Sequence, residues 1–203
     1  MSRGRKLPGV LTLDEQKALL AQPNPKAPTG LRNLCMITVM LNAGLRVSEV
    51  INLQIRYIEW LSGQLTVRQG KGNKDRVLWL NEDDLTLLKE WRRIKPESKY
   101  LFCTLKGGKL DDRYIRQLVD RLANKAGIQD YKTSIDKNGK EYQESKVSPH
   151  TLRHTFATDL YRDTKNLLLV QKALGHSDIS TTEIYTHIVD DELEDALKNF
   201  RRG

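Results

Sequence analysis

His150 and Arg153 are three residues apart in a stretch that reads as helix, so both side chains leave the same face. Arginine suits the non-bridging oxygens of a phosphodiester, because its planar fork binds oxyanions through paired hydrogen bonds. Histidine exchanges protons near neutral pH. His154 lies four residues after His150, a spacing that can ligate zinc. The metalloprotease form of that spacing has Glu directly after the first His. Here Thr151 stands there, and no Cys or acidic residue nearby completes a site. We therefore expect no metal, with one histidine facing the site and the other packed inside.

Lys71 sits between Gly70 and Gly72 at the tip of an expected hairpin. Glycine lets the backbone approach a ligand closely, and a lysine there is a mobile charge able to reach a phosphate. A solvated turn lysine has the same sequence. The segment is not a phosphate-binding loop of the Walker type, which needs a different glycine spacing and a following Ser or Thr. Arg46 follows an apolar segment, with Glu49 three residues on. Glu49 can hold its guanidinium in place and leave further N–H donors for a ligand. A purely structural ion pair has the same spacing. Tyr185 follows His176 by nine residues across a polar bend. A phenol hydroxyl can be a nucleophile, although most tyrosines are packing residues.

The elements that must position these groups are mostly helical. Thr12 and Glu15 form a capping-box pattern ahead of Leu19 and Leu20. Residues 22–30 hold three prolines and read as a loop. Residues 31–45 are apolar on nearly every face and read as a buried helix ending near Gly44, followed by a short helix with Val47, Val50 and Ile51. The period then changes. Segments 57–60, 65–69 and 76–80 read as a three-stranded antiparallel meander. Helices are expected again at 81–94 and 111–126, the second closed by Gly127. Asn138-Gly139, flanked by Tyr131, Ile135 and Tyr142, suggests a second hairpin; a flexible loop is the other reading. Ser148 caps and Pro149 opens a helix to about Tyr161, and another runs from 165 to 174 and stops at Gly175. A capping box at Ser180 to Glu183 and a tail helix with Leu193, Ala196, Leu197 and Phe200 on one face complete the chain.

The chain has 203 residues, enough for a sizeable core, with 34 Lys and Arg against 26 Asp and Glu. Residues 190–203 carry five acids and three bases, so the excess sits in the body before them. That balance favours a polyanionic partner, most simply nucleic acid, although an ordinary basic protein carries the same excess. No apolar run approaches the roughly 18 to 20 residues of a membrane span, and the start leads into no signal-like stretch. Two cysteines, Cys35 and Cys103, make no disulfide framework, and we expect free thiols in a reducing cytoplasm.

Four segments together resemble the catalytic domain of tyrosine recombinases, the phage-integrase family, and especially its Xer-like branch. They are Ala43-Gly44-Leu45-Arg46-Val47-Ser48-Glu49-Val50 and Gly70-Lys71-Gly72-Asn73-Lys74-Asp75-Arg76. Ser148-Pro149-His150-Thr151-Leu152-Arg153-His154-Thr155-Phe156-Ala157-Thr158 follows, and then the stretch from Leu174-Gly175-His176 to Tyr185-Thr186-His187. Four motifs in the right order are far more specific than one. The resemblance implies an α+β fold: a mostly helical catalytic domain with a small three-stranded antiparallel sheet.

It also implies roles. Tyr185 attacks the scissile phosphate of double-stranded DNA and forms a 3′-phosphotyrosyl link. Arg46 and Arg153 clamp the non-bridging oxygens. Lys71 protonates the leaving 5′ oxygen, His150 serves proton transfer with the tyrosine, and His176 donates a hydrogen bond to the phosphate. Glu49 supports the site, and Lys74 and Arg76 contact DNA. Neither metal nor nucleotide cofactor is implied. The partners are DNA and other copies of the chain, a tetramer on DNA and a monomer when free, with no membrane. We expect one catalytic domain over residues 1–203 without the family's N-terminal DNA-clamping domain, and a tail at 190–203 that can pass between protomers. The expected activity is site-specific recombination. Type IB topoisomerase-like relaxation and a catalytically silent DNA-binding module are the competing readings.

Overall fold

The computed structural model describes residues 9–68, 75–135 and 139–175. Its elements in chain order are α1 (Leu13–Leu20), α2 (Pro28–Asn42), α3 (Val47–Asn52), a 3-10 turn (Ile55–Tyr57), β1 (Gln64–Val67) and β2 (Arg76–Trp79). Then come α4 (Glu82–Ile94), α5 (Asp112–Lys125), β3 (Tyr131–Ile135), β4 (Glu141–Ser145), α6 (Pro149–Thr164) and α7 (Leu167–Leu174). The helix starts are written in capping side chains. Thr12 Oγ1 accepts from the Glu15 N–H at 3.2 Å while Glu15 answers the Thr12 N–H at 2.9 Å. Asn81, Asp111, Ser148 and Asn166 each accept from a first-turn N–H in the same way.

The middle of the fold is α2, whose Cys35, Met36, Ile37, Val39 and Met40 are fully buried. It packs against α1, α3, α4 and α6, so α3 and α6 share one neighbour. Trp91 of α4 is buried too, and its indole N–H is satisfied by the Leu101 carbonyl at 2.8 Å. A second, smaller apolar group joins α6 to α7 through Ala157, Val170 and Leu174.

Two boundaries differ from the sequence reading. α2 starts at Pro28, inside the stretch read as loop. Proline breaks a helix interior but suits the first helical position, where its missing N–H has no partner to lose. The expected three-stranded meander is two strands, β1 and β2, paired antiparallel from Gln64–Trp79 to Val67–Arg76. The segment 57–60 contributes a single bridge, Ile58 to Leu65. The 3-10 turn precedes that bridge, and the chain reverses directly after it, with Gly63 N–H on the Glu59 carbonyl at 2.9 Å and Glu59 N–H on the Gln64 carbonyl at 2.8 Å.

The second hairpin is formed: β3 pairs with β4 from Tyr131–Ser145 to Ile135–Glu141. The tight connection at 69–74, the capping box at 180–183 and the tail helix at 190–200 lie outside the described residues.

Candidate active site

Gly44, just past α2, has φ +60, and a Cβ there would meet the Phe156 ring at 2.3 Å. Glycine alone fits both the left-handed backbone and the contact. The turn delivers Arg46 to the N-cap of α3. Glu49, one turn into that short helix, takes the Arg46 N–H at 2.8 Å and its guanidinium at 3.1 Å.

Glu49 has a larger commitment on its other side. Arg76, the first residue of β2, grips both carboxylate oxygens at 2.7 and 2.8 Å. Such fork-to-fork pairs are the strong, directional form of the ion pair. The Arg76 Nε–H goes to the Ala173 carbonyl at 2.8 Å. Arg153 of α6 donates to the Gly44 carbonyl and, at 2.6 Å, to the Leu174 carbonyl, and stands 3.9 Å from Glu49. One carboxylate is thus bracketed by Arg46, Arg76 and Arg153, from three elements.

Burial drives the Glu49 carboxyl upward, but the hydrogen bonds and charge of Arg76, the Arg46 N–H and the charge of Arg153 outweigh it. The net shift is downward, so Glu49 is ionised at neutral pH. Among the described residues, three guanidinium groups against one carboxylate leave the cluster cationic. The Glu49, Arg76 and Arg153 side chains are nearly buried, whereas that of Arg46 is 22% exposed and forms the open side of the cluster.

The two arginines also cap α7. The Ala173 and Leu174 carbonyls are among the last of that helix and have no partner within it. Cations are favoured at this end of a helix. Gly175 ends α7 at φ +65, and a Cβ there would lie 3.0 Å from the Arg76 stem.

His150 is exposed in the first turn of α6. Partial burial of its ring, then the charges of Arg116, Arg153 and Arg46, hold its pKa below the usual value, against the opposing charge of Asp112. Arg116 is itself paired with Asp112 one turn earlier on α5. His154 is half-buried, and burial first, then His150 and Arg153, push it down to about 4. Both rings are therefore neutral at pH 7.

The structure brings Arg46, Glu49 and Arg153 together, with His150 within the reach of their charges. It moves Arg76 out of its expected role: the sequence puts this residue on DNA, and the structure buries its guanidinium between Glu49 and α7. The signal was the strand period, since Arg76, Leu78 and Leu80 point inward while Val77 and Trp79 are exposed. Arg116 beside His150 was carried by no sequence motif. Lys71, Lys74, His176 and Tyr185 lie outside the described residues.

The chain matches the model of the phage integrase family over residues 9–192. This chain belongs to that family. Along 98% of its length it is 32% identical to tyrosine recombinase XerD of Listeria innocua, covering 64% of that protein. It is 34% identical to XerD of Staphylococcus aureus over 97% of its length and 63% of that protein. Its fold matches XerH site-specific recombinase, bound to a palindromic difH substrate in a post-cleavage complex, with a TM-score of 0.75 and 35% identity. That match covers 97% of this chain and 54% of the other. The phage-integrase chain therefore spans less than two thirds of the curated relatives it matches. Its mostly helical α+β architecture is that of the tyrosine-recombinase catalytic domain, with the sheet reduced to two strands and a bridge.

Proposed function

We propose that this chain is the catalytic part of a site-specific recombinase that cuts and rejoins double-stranded DNA through a phosphotyrosyl intermediate. The observation that carries the reading is the convergence of Arg46 and Arg153 on Glu49, from α3 and α6, in a cluster that stays cationic. A phosphodiester carries one negative charge, and its charge spreads over more oxygens in the transition state. Prearranged guanidinium donors stabilise that state more than the ground state.

The chemistry balances without an added energy source. The Tyr185 oxygen attacks phosphorus and the bond to the 5′ oxygen breaks. Lys71 supplies the proton to that oxygen, and neutral His150 accepts the tyrosine proton. His176 donates to a phosphate oxygen. The phosphotyrosyl bond keeps the energy of the broken linkage, so a 5′-hydroxyl of another strand can reverse the step on a new partner. Lys74 lies on the DNA backbone in this scheme. The working form on DNA is a tetramer and the free form a monomer, acting in the cytoplasm.

A nicked duplex that loses its short cleaved fragment traps the covalent species. Wild-type protein accumulates a DNA adduct whose mapped attachment is Tyr185, and Tyr185→Phe gives none. A wild type that binds the duplex without any adduct points instead to a silent binding module. Relaxation of supercoiled plasmid with no recombinant product points to a relaxase.

A further inference from the structure

We propose that Arg76 is a positioning residue that keeps Glu49 from capturing the guanidinium of Arg153. The geometry stands by itself, while the activity readout rests on the recombinase reading. Glu49 is one carboxylate among three guanidinium groups, and its two oxygens are the contested resource. Arg76 takes both, at 2.7 and 2.8 Å. Arg46 adds one side-chain bond at 3.1 Å. Arg153 is held off at 3.9 Å, anchored by the Gly44 and Leu174 carbonyls.

Arg76 cannot drift from this post. Its Nε–H is tied to the Ala173 carbonyl at 2.8 Å, and its side chain is only 7% exposed. The α7 terminus packs on its stem at Gly175, where even one added carbon would crowd it. β2 therefore fixes it from behind and α7 from the side.

Removing Arg76 leaves a buried carboxylate without its bidentate partner, a state that costs free energy until a cation refills it. Among the described residues, Arg153 already stands 3.9 Å from Glu49 and can close on it. A guanidinium drawn onto Glu49 turns its fork away from a bound phosphate. Arg76 thus acts on the reaction through Arg153, without touching DNA.

The test compares Arg76→Ala, Arg76→Lys, Glu49→Gln and the double variant Arg76→Ala/Glu49→Gln with wild type. The probe is a pool of nicked duplexes of randomised sequence, scored for DNA affinity and for the single-turnover rate of adduct formation. Arg76→Ala lowers the rate about a hundredfold, the size of losing one prearranged donor, with DNA affinity close to wild type. Arg76→Lys falls between, since lysine offers a point charge in place of the fork. Adding Glu49→Gln to Arg76→Ala removes the capturing charge and raises the rate about tenfold over Arg76→Ala alone.

A side chain that merely stabilises the fold gives the opposite order, with the double variant at or below the single one, and that order overturns the proposal. If Arg76→Ala does not fold, Arg76→Lys with and without Glu49→Gln carries the same comparison. Nitrogen NMR of the arginine side chains needs no DNA. The Arg153 signals shift in Arg76→Ala and return in the double variant; unmoved signals overturn the proposal. A wild type inactive on DNA defeats the recombinase reading alone, and the spectra then decide this one.

Discussion

Glu49 and Glu144 are both glutamates in charge-rich surroundings, and their neighbourhoods differ in kind. Glu49 is nearly buried and meets arginines from α3, β2 and α6. Glu144 is exposed in the β3–β4 hairpin and accepts from the Ser134 hydroxyl, diagonally across the strand pair, at 2.8 Å. The contacts around Glu49 join segments distant in the chain, and two of its arginines are anchored again on backbone carbonyls. Hairpin side-chain contacts are local and wet: Gln143 to Thr133, and Tyr131 to Asp120 of α5. Charge types do not decide what such residues do. Burial and the span of chain they tie together decide it, because a group whose partners sit on three elements cannot move without moving those elements.

The contrast can be broken most directly at Glu49 itself. Glu49→Ala strands buried Arg76 without its bidentate carboxylate and lowers unfolding stability by about 3–5 kcal/mol, read from urea melts. A loss below about 1 kcal/mol, the range of exposed ion pairs, would place Glu49 with the hairpin charges.

Acid sharpens the comparison by separating two groups of the site. The folded state holds His154 near 4, below its ordinary value of 6.5. The unfolded chain therefore binds the extra proton first, and stability declines as pH falls from about 6.5 towards 4. Glu49, whose folded pKa is depressed, adds its own loss only below its ordinary 4.5. Thermal melts between pH 7 and 5 should show this decline, made shallower in His154→Asn, with the remainder from His150, whose pKa is also lowered. A flat wild-type profile over that range would contradict it.

The smallest effect belongs near the hairpin. Lys146 follows β4 and pairs with Glu15 of α1 at 2.8 Å, half-exposed. Lys146→Ala costs at most about 1 kcal/mol and leaves adduct formation unchanged. A larger loss in either would show that the hairpin base is coupled to the cluster.

Much of the fold was legible because its signals are local. The Thr12–Glu15 box and the Ser148-Pro149 start each act within one turn, so residue type and spacing suffice. Pro28 misled because the same residue breaks a helix interior and opens a helix. Segment 57–60 has strand-forming residues, but a turn at Gly63 set by backbone bonding cut its pairing to one bridge. Within the site, the Arg46–Glu49 contact was legible for the same local reason. The anchors of Arg153 were not, because carbonyls at Gly44 and Leu174 have no signature in residue type. Arg76 had a partial signal in its inward strand phase, but its partners Glu49 and Ala173 are brought near only by the packing of α3, β2 and α7.

In the proposed function Arg153, fixed beside Glu49, grips the phosphate at which a strand is cut. Arg153→Ala tests it with adduct formation and DNA affinity measured side by side on one nicked duplex. The adduct rate is expected to fall about 10²–10³-fold while most of the DNA affinity survives. A variant that folds, binds and still forms the adduct at the wild-type rate would contradict it.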